Sequence, residues 1–155
     1  MAAINEYYLF IYCEWLNDEI VKEQYPTAVK ITKGISEDKA VRFVSYKDDF
    51  GNPFEGGCCA VGVSGEVIYG TVWKLGAKEI AHLDNVVNVN EGRYTRLYQA
   101  VKGDDGNSYA CISHSVKHPI DFHSHPSKDY LDNMLKGARF NNFPKEYIHK
   151  LEALA

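Results

Sequence analysis

Residues 94–116, YTRLYQAVKGDDGNSYACISHSV, set two alternating segments either side of the polar turn GDDGN, and this pattern restricts the fold more than any other stretch. A side-chain period of two suits a strand, and glycine with Asp and Asn supplies the turn, so residues 94–101 and 108–116 are predicted to pair as an antiparallel hairpin across 103–107. A hairpin with apolar residues on one face needs further strands to cover it. Residues 7–12 (YYLFIY) are short and rich in β-favouring aromatics and read as a buried strand. Residues 27–45 give two alternating segments around a polar turn at 34–38. Residues 58–63 and 67–75 flank Ser64-Gly65-Glu66 and read as another hairpin. KDDFGNPFEGG between these pairs is turn chemistry.

Helical spacing falls mostly at the ends. Trp15, Leu16, Glu19, Ile20 and Glu23 suit a short amphipathic helix capped by Asn17 or Asp18 and stopping before Tyr25-Pro26. Residues 77–83 make one or two helical turns. Residues 117–127 read as a polar loop. Ser127 is a candidate N-cap for a helix with Tyr130, Leu131, Met134, Leu135 and Ala138 on its apolar face, and Pro144 opens a last helix through Leu154. About seven strands with helices at the ends predict an α+β fold, a small, mainly antiparallel β-barrel flanked by helices.

The 155 residues fit one domain, 1–155, with a single core. A net charge of −4 offers no electrostatic footprint for nucleic acid. The N-terminal stretch lacks a basic n-region, Glu14 interrupts its apolar run, and no 18-residue apolar segment occurs, so the expectation is a cytoplasmic protein with no membrane partner. Cys13, Cys58, Cys59 and Cys111 lack metal-type spacing and are expected to be reduced core residues, with Cys13 open to a reactive-thiol reading. On a strand, Cys58 and Cys59 would point to opposite faces. No metal and no cofactor is expected.

Four segments together resemble the gamma-glutamylcyclotransferase family, including its AIG2-like and BtrG-like members: YLFIYCEWL, the GTVWKL strand, the segment from Leu83-Asp84 to Tyr94, and the tail PSKDYLDNMLKGARFNNFPKEYIHKL. The resemblance implies a small β-barrel flanked by helices that releases 5-oxoproline by attack of a γ-glutamyl amine on its own side-chain carbonyl. Such chemistry needs a carboxylate that serves as base and then acid, and backbone amides that hold substrate and oxyanion. In the family the amides come from a YGSN-like loop and the carboxylate from an LDxxEG motif.

This chain departs from both motifs. The loop reads Tyr12-Cys13-Glu14-Trp15, without the glycine that allows close approach of a ligand. The spacing from Leu83 to Tyr94 is kept, which puts Val87 in the glutamate position and Asn88 in the glycine position. Valine cannot transfer a proton. Two carboxylates are candidate replacements: Glu14, otherwise a first-turn carboxylate set against a helix dipole, and Glu91, otherwise a solvated turn residue. The expected pocket lies between residues 12–16, 83–91 and Tyr130, with Tyr12, Cys13, Trp15, Leu16, Val87, Tyr94 and Tyr130 as ligand-binding candidates and Trp15 narrowing it. Tyr130 reads equally well as a core tyrosine, and Asp84 as a structural hydrogen-bonding residue.

Three functional readings follow. The first is a diverged relative whose pocket takes a small amino-acid-like or other compact ligand, either to bind it or to act on it with altered chemistry. The second is an active cyclotransferase using Glu14 or Glu91. The third, more remote, is a zinc hydrolase, because His123-Ser124-His125-Pro126 resembles the HxHP core of JAMM-type zinc isopeptidases. That motif's downstream serine and aspartate are here Asn133 and Lys136, which favours a solvated loop.

Overall fold

A computed structural model describes residues 6–155. Strands β1 (Glu6–Ile11), β2 (Val29–Lys47), β3 (Pro53–Gly76), β4 (Tyr94–Gly103), β5 (Ser108–Val116) and β6 (Pro119–Asp121) form one sheet in the order β3-β1-β5-β4-β2-β6. Because β2 also pairs with β3, the first five of these close into a barrel and β6 extends β2. The pairings are antiparallel except that β1 runs parallel to β5, with Leu9 opposite Ile112. The helices are α1 (Asp18–Gln24), α2 (Ala77–Val86), α3 (Lys128–Phe140) and α4 (Lys145–Glu152), and a 3-10 turn, Glu14–Leu16, follows β1.

The apolar run of β1 is explained by burial on both faces. Leu9 and Ile11 pack with Trp73, Ile80 and Leu83 beneath α1 and α2. Phe10 and Tyr12 join the larger core with Ile68, Val72, Val101 and the apolar face of α3. On α3 that face is Leu131, Met134, Leu135 and Ala138, and the Ser127 side chain accepts the Tyr130 N–H as N-cap. Burying side chains of this size stabilises by roughly 1.5–3 kcal/mol each. Gly137 lets α3 lie directly on the 3-10 turn, because a Cβ there would overlap the Leu16 carbonyl. The Gly-Ala pair of the tail therefore fixes where Glu14, Trp15 and Leu16 sit.

The long strands correct the strand count. Residues 27–45 do not fold back at 34–38, and 58–63 does not pair with 67–75; β2 and β3 instead run antiparallel along nearly their whole length from the turn at 48–52. Gly65 does take a left-handed φ of 83°, but in an irregularity where β3's partners jump from Val67 opposite Glu37 to Gly62 opposite Lys39. There the Asp38 carboxylate accepts the Gly65 N–H. The turn residues produce a bulge because both flanking segments find more partners on β2 than on each other. The 117–127 loop contains the short β6, α2 extends three residues past the predicted turn, and α4 ends at Glu152.

The cysteine expectation is corrected as well. Cys58 and Cys59 face opposite sides, as the strand period requires, but Cys58 meets Cys13 in a disulfide with Cα atoms 6.8 Å apart. Residues separated by 45 positions converge because β3 passes the end of β1 where the chain enters the 3-10 turn. Cys59 and Cys111 are free and buried. No helix among the described residues is long and apolar enough to cross a membrane.

Candidate functional site

A cavity of about 340 Å³ opens between β1 with the turn after it, the end of α2, and the first turn of α3. Six of the sequence candidates line it: Tyr12, Cys13, Trp15, Val87, Tyr94 and Tyr130, together with Glu14. Trp15 forms one wall, its indole braced against Tyr25 at 5.8 Å between centroids. Leu16 does not reach the cavity. The 3-10 turn directs it into the core beneath Gly137, where it is fully buried.

Val87 ends α2: its N–H donates to the Leu83 carbonyl, and its half-buried side chain faces the cavity. After it the chain turns through left-handed Asn88 and Gly92. The Glu91 carbonyl accepts the Asp49 N–H at 2.9 Å, which ties this segment to the turn at 48–52 and leaves the Glu91 side chain exposed, outside the cavity lining. Glu14 is the carboxylate of the cavity. Burial raises its pKa, the nearby Asp129 charge adds to this, and hydrogen bonding to Asn133 works in the other direction.

The three phenols remain protonated at neutral pH. Burial pushes Tyr94 up to about 12, and it pushes Tyr12 and Tyr130 higher still. Tyr12 donates its hydroxyl to the His114 carbonyl at 2.6 Å. The Tyr94 hydroxyl accepts the Cys58 N–H at 2.9 Å, which leaves its own proton available to a ligand oxygen. Tyr130 stands edge-on to Phe43, 5.5 Å between centroids, so it serves the core and the cavity at once.

The two basic residues of the cavity, Arg93 and His114, were not among the sequence candidates. Arg93 lies with its guanidinium 3.9 Å above the Phe54 ring and donates to the Tyr46 hydroxyl, and it has no carboxylate partner among the described residues. His114, on β5, is the cross-strand partner of Arg96 on β4. Both reach Asp84 on α2: His114 Nε2 at 2.7 Å, and Arg96 through Nε and Nη2 at 2.7–3.2 Å. Burial alone would raise the Asp84 pKa, but the hydrogen bonds from Arg96 and His114 outweigh it and hold the carboxyl below its usual range. Burial lowers the His114 pKa despite Asp84, so the imidazole is neutral at pH 7, with Nε2 carrying the proton given to the carboxylate. The signal for His114 was available in the hairpin, since counting outward from GDDGN sets it opposite Arg96.

His123 and His125 sit on the exposed loop before α3, away from the cavity, and His125 Nδ1 approaches the Leu154 carbonyl at 3.3 Å. No group of three or more His, Cys, Asp or Glu among the described residues is arranged to hold a metal ion.

With this geometry in place, comparison with known proteins is informative. The sequence pattern of the AIG2-like family matches residues 67–151. A bovine gamma-glutamylcyclotransferase is 30% identical over 122 residues, covering 73% of this chain and 63% of that protein, so the chain spans less than two thirds of that relative. A mouse gamma-glutamylcyclotransferase is 26% identical over 146 residues, 94% of this chain and 77% of that one. Among solved structures, a gamma-glutamyl cyclotransferase superposes with a TM-score of 0.84 at 23% identity, covering 97% of this chain and 88% of that one. A yeast gamma-glutamyl cyclotransferase specific to glutathione gives 0.62 at 13% identity, covering 97% and 94%. At these identities the structural likeness speaks for the fold.

Proposed function

The chain belongs to the AIG2-like family, and from that premise we propose that its cavity takes a compact, amino-acid-derived ligand without using position 87 for acid–base chemistry. The observation that carries the reading is Arg93. A guanidinium held over an aromatic ring at the cavity, with no carboxylate of the described residues paired to it, is a ready partner for a ligand carboxylate. Glu14 offers the complementary partner for a ligand ammonium, and Trp15 with Val87 covers the apolar stem between them. The relatives' names point to γ-glutamyl compounds as the ligand class to try first. Nothing in this recognition requires nucleic acid or a membrane.

Calorimetric titration of γ-glutamyl-L-alanine into the protein tests the reading, with mass spectrometry of the denatured protein to find any co-purified ligand. Arg93→Ala is expected to weaken binding at least tenfold, and equal affinity in the two proteins would refute the assignment. The second reading, a cyclotransferase with a relocated carboxylate, is favoured by the raised pKa of Glu14. It requires 5-oxoproline release that Glu14→Gln abolishes; Glu91→Gln, on the exposed turn, serves as control.

A further inference from the structure

We propose that His114, oriented by Asp84, is the proton carrier of this cavity. The inference rests on the ligand class proposed above and adds the group that acts on it. Its basis is the division of labour between the two ring nitrogens. Nε2 is committed to Asp84 at 2.7 Å. Nδ1 has no hydrogen-bond partner among the described residues, and the sole fully buried side-chain nitrogen or oxygen without one is the Tyr147 hydroxyl. Nδ1 therefore meets solvent-accessible space, and the space that His114 lines is the cavity.

A neutral imidazole with one nitrogen donating to a carboxylate and the other carrying a free lone pair is a general base held in one tautomer. Asp84 is in turn pinned by three hydrogen bonds from Arg96, so the carboxylate that orients the imidazole is itself fixed in place. β4 and β5 hold the pair from below, and such a site is more rigid than one on a loop. Val87 supplies no proton-transfer group. Glu14 stands opposite as the ammonium partner, where binding removes it from proton traffic.

The step balances without a co-reactant. The substrate's α-ammonium loses one proton to solvent, and the amine attacks the γ-carbonyl carbon. The new N–C bond closes a five-membered ring while Nδ1 takes one of the two remaining amine protons and the other stays as the ring N–H. The resulting imidazolium is stabilised by Asp84. When the tetrahedral intermediate collapses, the original amide C–N bond breaks and the imidazolium returns its proton to the leaving amine, giving 5-oxoproline and a free amine.

The test is turnover of γ-glutamyl-L-alanine, read as 5-oxoproline, by the unmodified protein and by His114→Asn, Glu14→Gln and Asp84→Asn, with binding titrated in each. His114→Asn keeps an amide donor toward Asp84 and is expected to lower kcat by about 10²–10⁴-fold with KM changed less than about threefold. Asp84→Asn, a positioning change, should lower kcat less and move the acid limb of the pH profile. The groups facing His114 are Asp84 from α2, Arg96 from β4 and Tyr12 just after β1. Glu14 and Arg93 lie elsewhere on the cavity. Among these, Tyr12 and Arg96 are raised far above neutrality, so the limb belongs to His114 or Glu14. Should His114→Asn misfold, nitrogen NMR of the unmodified protein decides instead: the Nε2–H tautomer with a midpoint matching the kcat/KM limb supports the proposal, and a mismatch above about one pH unit overturns it. Turnover that survives His114→Asn, or vanishes only in Glu14→Gln, also overturns it. Binding without any turnover overturns it while leaving the ligand assignment standing, whereas failure to bind removes both.

Discussion

Removing the Asp84 carboxylate is expected to cost the fold about 3 kcal/mol. In Asp84→Ala two charge-assisted interactions disappear together, the forked contact with Arg96 and the 2.7 Å contact with His114. Hydrogen bonds involving a charged group contribute roughly 1.5–3 kcal/mol each, so their sum lies at about 3–6. The Asp84 side chain is 17% exposed and His114 9%, but Arg96 is 34% exposed and regains much of its hydration when released, which draws the value to the lower end. Urea unfolding followed by fluorescence of the two tryptophans should show the midpoint falling by about 1.5–2 M, taking a slope of ~1.5–2 kcal/mol/M. The pH dependence follows from the depressed pKa of Asp84. A carboxylate whose folded pKa is lowered contributes stability that is present above its unfolded value, ~3.9, and is lost as pH falls through the folded value. The Asp84 contribution to the gap between the two proteins should therefore be lost only as pH falls below about 4. A difference under 1 kcal/mol at pH 7, or one unchanged at pH 3, would refute the reasoning.

Gly137→Ala should destabilise by about 1–3 kcal/mol, because the new methyl meets the Leu16 carbonyl backbone; the same unfolding assay measures it, and an unchanged midpoint would show that α3 does not rest on the turn. The disulfide closes a span of 45 residues, so the double change Cys13→Ser with Cys58→Ser should lower stability by roughly 2–4 kcal/mol in oxidising buffer and by much less in dithiothreitol, read from melts in both.

Legibility in the sequence was uneven, for physical reasons. The 94–116 hairpin was readable to within two residues because its turn chemistry is local, and α3 was readable because Ser127 and the 3.6 period agree. The β2–β3 pair was misread because a period of two says which face a residue takes and not which strand it pairs with; Gly65 signals a left-handed residue equally well in a hairpin or a bulge. At the cavity, Tyr12, Trp15, Val87, Tyr94 and Tyr130 were named through motif positions, which carry spatial information. Of the two readings of Glu91 the structure shows the solvated turn residue; the turn is anchored by Asp49, more than forty positions upstream, and nothing near Glu91 announces that contact. The Cys13–Cys58 pair was missed for the same reason. Arg93, in the bend before β4, has no local signature, and for His114 the hairpin announces only the pairing with Arg96; their roles arise from the Phe54 ring and the Asp84 carboxylate that the barrel brings to them.

The arrangement of α2 bears on whether Val87→Glu could return the family's chemistry. Asp84 and Val87 are three positions apart and share a helical face, yet only Asp84 is tied to the β4–β5 hairpin, and Val87 meets the cavity directly. A glutamate at 87 would bring a second carboxylate to the cavity that His114 lines. An added negative charge favours imidazolium, so the His114 pKa should rise and the acid limb of any turnover should move to higher pH, reducing the fraction of neutral base near pH 6. The new carboxylate, entering a half-buried position beside Leu83, would also be raised in pKa and compete for the same proton. Cys13, Glu14 and Trp15 would still occupy the loop where close backbone approach is needed. The expected outcome is less than a tenfold gain in 5-oxoproline release and an acid limb displaced upward. A gain of a hundredfold or more with the limb unmoved would mean that the amide cradle is intact, that position 87 alone had been limiting, and that the imidazole carries no proton.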